Sequence, residues 1–399
     1  MSAAIEAPAI QLTGRIQRIE VSATMAVVAE ADKLAQQGID VVYFGAGEPH
    51  FPTPRHIKDA AIAAIEGDFS KYTAVGGTNE LRDAIIQRHA TDFASAYRRE
   101  ECIANVGGKH AIFNAVSVLV DHGDEVILPV PYWVSFKDIV RYAGGTPILL
   151  AADEKENFRV TAAMVEKLIT PKTKMIILNS PSNPSGAVMS PEDQIAIARL
   201  AAERGIWLLS DECYVYLNYA GTPFSVGSQQ QYRDRLLVIG SLSKTYAMTG
   251  WRLGYALGPA KVIAAMSKLQ SQSTSNPTSI VQKAAVAALT GPQDCVAEMR
   301  AEYIRLRDHC VAGLRSMSGI TCTMPEGAFY AYPNISAFIG RGGTKSAAEV
   351  ANKLLREAHV ATVPGEGFGT TEHIRVSYAT TTTELDRGLT RMTKFFANL

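Results

Sequence analysis

An excess of charge of either sign is missing: 39 Lys and Arg offset 39 Asp and Glu, so the 399-residue chain is formally neutral. The basic doublet Arg98-Arg99 runs straight into Glu100-Glu101. A chain without a basic stripe lacks the footprint that grips nucleic acid. Cysteine is sparse. Cys102, Cys213, Cys295, Cys310 and Cys322 are scattered, odd in number and never spaced C-x-x-C, which argues against a disulfide framework and a thiolate zinc site. No metal is expected, and a reducing, cytoplasmic setting is. No apolar run is long enough to span a bilayer. The first twenty residues carry Glu6 and Glu20 and no continuous apolar segment behind a basic end, so neither a membrane partner nor a signal peptide is expected. Internal repeats and low-complexity tracts are absent as well.

What is present is an ordinary globular composition at a length that suggests two domains. Helix-period segments near Arg55–Ile65 and Thr78–Ser95 precede strand-like runs at Cys102–Val106, Glu125–Pro129, Lys174–Asn179, Trp207–Ser210 and Leu236–Ile239. Further helices are expected near Lys109–Val120, Trp133–Tyr142 and Pro191–Glu203. Strands separated by helices of this length imply crossovers, and therefore a mostly parallel sheet covered by helices. Ligand chemistry then belongs at the carboxyl ends of the strands. From Asp294 the pattern changes to a long charged helix up to Arg315, strand-like runs at Thr321–Thr323 and Phe329–Tyr332, a helix near Ser346–Ala358, a strand at Ile374–Tyr378 and a terminal helix. This is the pattern of a smaller α+β domain. The helix around Thr24–Gln36 is expected to pack with it, giving residues 1–52 and 295–399 to the small domain and 53–294 to the large one.

The most informative stretch follows the apolar run Leu236–Ile239. It reads Ser241-Leu242-Ser243-Lys244, with Arg252 eight residues beyond the lysine. Lysine amines form Schiff bases with carbonyls, while serine hydroxyls and a forked guanidinium grip phosphate oxygens. A carbonyl compound carrying a phosphate meets both demands, and pyridoxal phosphate is one. Alone, the motif fits a surface lysine and a salt-bridging arginine equally well.

Other strand ends carry compatible chemistry. Val106-Gly107-Gly108-Lys109 opens a helix where backbone N–H groups can meet an anion. Pro131-Tyr132-Trp133 places an indole where it can stack on a flat heterocycle. Asn179-Ser180-Pro181-Ser182-Asn183-Pro184-Ser185-Gly186 is a stiff loop able to orient the Asn183 amide, or a plain structural turn. Leu208-Leu209-Ser210-Asp211-Glu212-Cys213-Tyr214 ends an apolar strand on an aspartate that is costly to desolvate unless paired. A protonated pyridine nitrogen is one suitable partner and a salt bridge another.

Taken in order, from Thr24 and Gly45-Ala46-Gly47-Glu48-Pro49 to Arg375-Val376-Ser377-Tyr378, these motifs resemble the class I and II aminotransferase family, fold-type I pyridoxal-phosphate enzymes, and specifically its bacterial aspartate aminotransferase branch. The resemblance implies that Lys244 bonds covalently to the cofactor and then acts as general base, that Asp211 pairs with the pyridine nitrogen, and that Tyr214 and Asn183 bond the ring oxygen. Trp133 would stack on the ring. Gly108, the Lys109 backbone, Ser241, Ser243 and Arg252 would hold the phosphate. Tyr72 would reach the phosphate of a neighbouring subunit, which implies a homodimer with shared sites.

Arg375 matches the family arginine that clamps the substrate α-carboxylate, with Gly47, Trp133 and Asn183 beside it. Lys109 and Thr24 match the pair that recognises a distal carboxylate. Aspartate or glutamate, exchanged with oxaloacetate or 2-oxoglutarate, are therefore the expected substrates. Prephenate and broader aromatic substrates are the alternatives, and a lyase or synthase on the same fold is a more distant one. His50 stands where many relatives carry aspartate, a change expected at the entrance loop, and Ser185 replaces a commoner threonine. No DNA-binding segment of the kind fused to cofactor-sensing regulators is visible.

Overall fold

The structure, a computed structural model, describes residues 10–399. Residues 1–9, with Glu6 and the head of the expected 1–52 segment, lie outside the described part.

Twelve strands are formed among the described residues. They are β1 (Val42–Tyr43), β2 (Cys102–Asn105), β3 (Glu125–Val130), β4 (Thr146–Ala151), β5 (Thr173–Asn179), β6 (Trp207–Asp211), β7 (Leu236–Ser241), β8 (Gly254–Leu257), β9 (Tyr330–Ala331), β10 (Val360–Ala361), β11 (Val363–Pro364) and β12 (Ile374–Ser377). Strands β2 to β8 build a seven-stranded sheet in the order β2-β8-β7-β6-β5-β3-β4. It is parallel except for β8, which runs antiparallel to both neighbours. The apolar runs follow from burial on both faces. Ile176, Leu178, Leu208 and Val238 pack on one side with Ile57, Leu81, Ile85 and Ile197 from helices Arg55–Glu66, Asn79–Phe93 and Pro191–Glu203. Their strand neighbours Met175, Ile177, Leu209 and Ile239 pack on the other with Ile112, Val116, Ile139 and Met266 from helices Gly108–Leu119, Ser135–Ala143 and Ala260–Ser271.

Helix starts are set by local chemistry. Thr78 Oγ1 accepts from the Leu81 N–H at 3.2 Å, and Ser190 Oγ caps the helix opened by Pro191, accepting from the Asp193 N–H at 3.1 Å. Such caps satisfy N–H groups that the helix itself leaves unpaired.

A further core gathers Tyr303, Leu306 and Leu314 of helix Asp294–Arg315 with Leu354, Phe395 and Phe396 of helices Ala347–Ala358 and Thr382–Asn398. Val42 and Phe44 enter the same core from the amino-terminal side. Its sheets are small: β11-β12-β9 antiparallel, and β1 parallel to β10. Helix Ala23–Gln36 places Ala31 against Leu355 and Ala361.

Several elements differ from expectation. Thr321–Thr323 forms no strand; Thr321 and Asn334 exchange both backbone hydrogen bonds in a single antiparallel bridge that does not extend to a second pair. The helix expected from Trp133 begins at Ser135, leaving Trp133 in the preceding turn. Strands β4 and β8 and the helices Ala260–Ser271 and Ser279–Thr290 are additional to those read from the sequence. No helix among the described residues is long and apolar enough to cross a membrane, and no group of metal-ligating side chains occurs among them.

Candidate active site

The carboxyl ends of β5, β6 and β7 open into a cavity of about 290 Å³. Its walls bring together Thr24, Gly47, Gly108, Lys109, Trp133, Asn183, Asp211, Tyr214, Ser241, Ser243, Lys244, Arg252 and Arg375. Of the cofactor and substrate residues implied by the resemblance, Tyr72 alone is elsewhere: it is 91% exposed and outside this lining.

One wall is an anion cradle. The turn Gly107-Gly108 joins β2 to helix Gly108–Leu119, so the helix's first N–H groups face the cavity beside Arg252. Gly107 has φ 83°, and a Cβ there would stand 2.6 Å from Arg252 Nη2. A Cβ on Gly254 would stand 2.4 Å from the Gly108 nitrogen, so β8 can lie against this turn only without a side chain. Arg252 holds φ 58°, and its Nη1 donates to the Thr249 carbonyl at 2.8 Å. Ser241 Oγ accepts from the Ser243 N–H at 3.2 Å.

Asp211 ends β6 and is 4% exposed. Its Oδ1 accepts from the Cys213 N–H at 3.1 Å, and it forms no ion pair among the described residues. Burial raises its pKa to about 6, against the pull of the Cys213 hydrogen bonds and the Lys244 charge. A carboxyl so placed favours a cationic partner such as a protonated ring nitrogen. Next to it, Asn179 Nδ2 donates to the Asp211 carbonyl at 3.1 Å, while Asn179 Oδ1 accepts from the Asn183 N–H at 2.9 Å. Asn179 thereby locks the stiff loop onto the strand that carries the acid.

Lys244 lies in the short helical turn after β7, its Nζ donating to the Gly47 carbonyl. Burial lowers its pKa to about 8, so about a tenth is neutral amine at pH 7, against far less for an ordinary lysine. Tyr214 OH lies 2.8 Å from Tyr330 OH. Arg375, 1% exposed, donates from Nη1 to Asn183 Oδ1 at 2.9 Å and from Nη2 to the Gly45 carbonyl at 2.8 Å, with its guanidinium 4.4 Å from the Tyr330 ring centre. Lys109 Nζ stands 4.9 Å from the Trp133 ring centre and forms no ion pair among the described residues.

The residues therefore fit pyridoxal phosphate on their own chemistry: an anion cradle, a partly neutral lysine, a buried acid without a cation and an indole share one cavity. Tyr330, Asn179 and Cys213 also line it and were passed over in the sequence. The Phe329–Tyr332 run gave a signal for Tyr330, but only as a strand. His50 packs on Phe51, ring centres 4.1 Å apart, and meets the Tyr303 edge at 5.8 Å. It is absent from the cavity lining.

Comparison with known proteins agrees. A family model described as aminotransferase class I and II matches residues 39–392. An aspartate aminotransferase of Bacillus sp. (strain YM-2) is 42% identical, the match covering 96% of this chain and 98% of that protein. An aspartate/prephenate aminotransferase of Nitrosomonas europaea is also 42% identical over 96% of this chain and 99% of its own length. The crystal structure of the aspartate aminotransferase from Rhizobium meliloti superposes with a TM-score of 0.93 at 42% identity, covering 98% of this chain and 99% of that one. The Thermus thermophilus enzyme with maleate gives 0.92 at 40%, over 97% and 100%. The fold-type I expectation, a large α/β sheet with a smaller α+β part, is borne out.

Proposed function

Because the chain belongs to the class I and II aminotransferase family, and is a pyridoxal-phosphate-dependent aminotransferase, we propose that it moves the amino group of aspartate or glutamate to 2-oxoglutarate or oxaloacetate in two half-reactions. One observation carries the choice of acidic substrates: besides Arg252, two cations that have no carboxylate partner among the described residues, Lys109 and Arg375, share the cavity with Lys244. A substrate with carboxylates at both ends offers each of them a charge-assisted bond.

In this reading Gly108, the Lys109 backbone, Ser241, Ser243 and Arg252 hold the cofactor phosphate. Asp211 pairs with the ring nitrogen, Tyr214 and Asn183 with the ring oxygen, and Trp133 covers the ring. When bound, the cofactor supplies an aldehyde for covalent attachment and an electron-poor ring that accepts the electron pair released at the substrate Cα. Arg375 grips the α-carboxylate, with Gly47 and Asn183 alongside, and Lys109 with Thr24 orients the distal one. Lys244 Nζ, in the neutral fraction that its lowered pKa makes available, removes the proton from Cα.

We assign residues 53–294 to a large domain and 1–52 with 295–399 to a small one, a division supported by the core shared between Phe44 and Phe396. Tyr72, exposed and away from its own cavity, suits a cytoplasmic homodimer in which it reaches the neighbouring phosphate. Prephenate is the second reading. It also carries a second carboxylate at a comparable remove from the first, and relatives named aspartate/prephenate aminotransferase match at 42% and 43% identity.

The test is the visible spectrum of the holoenzyme before and after L-aspartate, with no 2-oxo acid present. Conversion to the aminated cofactor is expected. A spectrum that aspartate leaves unchanged while prephenate supports turnover with another donor would replace the first reading by the second.

A further inference from the structure

Arg375 belongs to the core around β12, whereas Lys244 and Asp211 belong to the large sheet. The distance from guanidinium to lysine therefore depends on how the two are seated. Among the polar contacts that tie them, one junction sits at the edge of the large sheet. Glu154 lies in the turn Glu154–Glu156, just after edge strand β4. Its Oε2 accepts from Asn334 Nδ2 at 2.8 Å and lies 3.1 Å from His373 Nε2, and its Oε1 accepts from Thr321 Oγ1 at 3.5 Å. All three partners follow helix Asp294–Arg315 in the chain, and β-bridges join Thr321 to Asn334 and Asn334 to His373.

The contact continues toward the cavity through packed rings. His373, 5% exposed, stacks on Tyr332 at 4.7 Å and 5° and meets the edge of Phe158 at 5.8 Å. Tyr332 meets Phe368 at 5.9 Å, and the Arg375 guanidinium lies 5.1 Å from the Phe368 ring centre. His373 is also two residues before Arg375 on the same stretch of chain. Close-packed groups of this kind transmit displacement rather than absorb it.

We propose that Glu154 is a positioning residue: by anchoring His373, Asn334 and Thr321 to the edge of the large sheet, it sets the depth at which Arg375 meets the substrate α-carboxylate. The proposal rests on reading Arg375 as that clamp. It assigns Glu154 no part in holding the cofactor, whose proposed ligands are on the sheet side of the cavity.

The test compares the holoenzymes Glu154→Ala, Glu154→Gln and Arg375→Ala. The readouts are KM and kcat with L-aspartate, the Kd of maleate as a non-reacting dicarboxylate probe, and cofactor content by absorbance. Glu154→Ala is expected to raise KM and the maleate Kd on the order of tenfold with unchanged cofactor content, since small misplacements of a positioning group are felt strongly. Glu154→Gln keeps an oxygen acceptor and is expected to return both to within about threefold. Unchanged KM and Kd in Glu154→Ala, or a lower kcat at unchanged KM, would overturn the proposal. If Arg375→Ala also leaves KM and Kd unchanged, the clamp reading itself fails. Should Glu154→Ala not fold, His373→Gln carries the same expectation, and a normal KM in that variant overturns the proposal.

Discussion

Arg375 Nη1 donates to Asn183 Oδ1 at 2.9 Å across 192 residues of chain. The bond ties the strand carrying the guanidinium to the loop that closes the cavity, and leaves Nε with no protein partner. Burial lowers the Arg375 pKa, while the surrounding tyrosines Tyr330, Tyr214 and Tyr332 oppose the shift. A buried cation this poorly compensated is built to receive an anion.

Arg375→Lys should therefore raise KM for the amino donor on the order of 30-fold or more, a loss of about 2 kcal/mol, because a point charge cannot reproduce the two-pronged grip. Steady-state kinetics with the cofactor saturating checks this. A KM within twofold of the unmutated enzyme would remove Arg375 from substrate binding.

Lys244 should make cofactor attachment pH-dependent in an unusual range. Its amine becomes neutral as pH rises through about 8, well below the ordinary 10.5 of a lysine. The rate at which cofactor-free protein takes up pyridoxal phosphate is expected to climb with pH and level off above about 8. A rate still climbing toward pH 10 would show an ordinary, solvated lysine.

Asp211→Asn should stabilise the cofactor-free protein while abolishing turnover. Folding raises this acid's pKa from 3.8 to about 6. The folded state then binds the extra proton between those values, so stability falls as pH rises from about 4 to 6. At pH 7.5 the full cost is present, about 3 kcal/mol. Thermal melts without cofactor should show the variant above wild type at pH 7.5 and level with it near pH 4. A variant less stable than wild type at pH 7.5 would mean that Asp211 contributes through its hydrogen bonds rather than straining against burial.

Gly254→Ala tests the cradle. Its methyl would fall 2.4 Å from the Gly108 nitrogen, forcing β8 away from the turn, and overpacking of this kind costs about 1–3 kcal/mol. Retention of pyridoxal phosphate during dialysis is expected to weaken at least tenfold. Full retention would show that the turn can shift without loosening the phosphate site.

The chemistry of this site was legible where it sits at the end of a long apolar strand. Asp211 and Lys244 follow short continuous apolar runs that alternate with helical segments, so their placement at a sheet end came from that alternation. Tyr330 was not legible, because β9 is two residues long and its importance comes from partners, Tyr214 and Arg375, that only the folded chain brings near. Strand β4 was hidden by Pro147 and by its edge position, where half-exposed residues blur the pattern. Strand β8 was hidden by its four-residue length within a motif that reads first as ligand chemistry.

The reversed direction of β8 limits how this segment can change. Ser241 of β7 pairs with Gly254 of β8, and Gly254 pairs with Asn105 of β2 on the other side, so the residues between Ser241 and Gly254 form a closed loop of fixed length. Inserting or deleting one residue there would move the pairing by one step and exchange the faces of β8, turning Tyr255 and Ala256 inside out. Substitutions can accumulate along this loop. An insertion or deletion would separate Lys244 from Arg252, which line the same cavity.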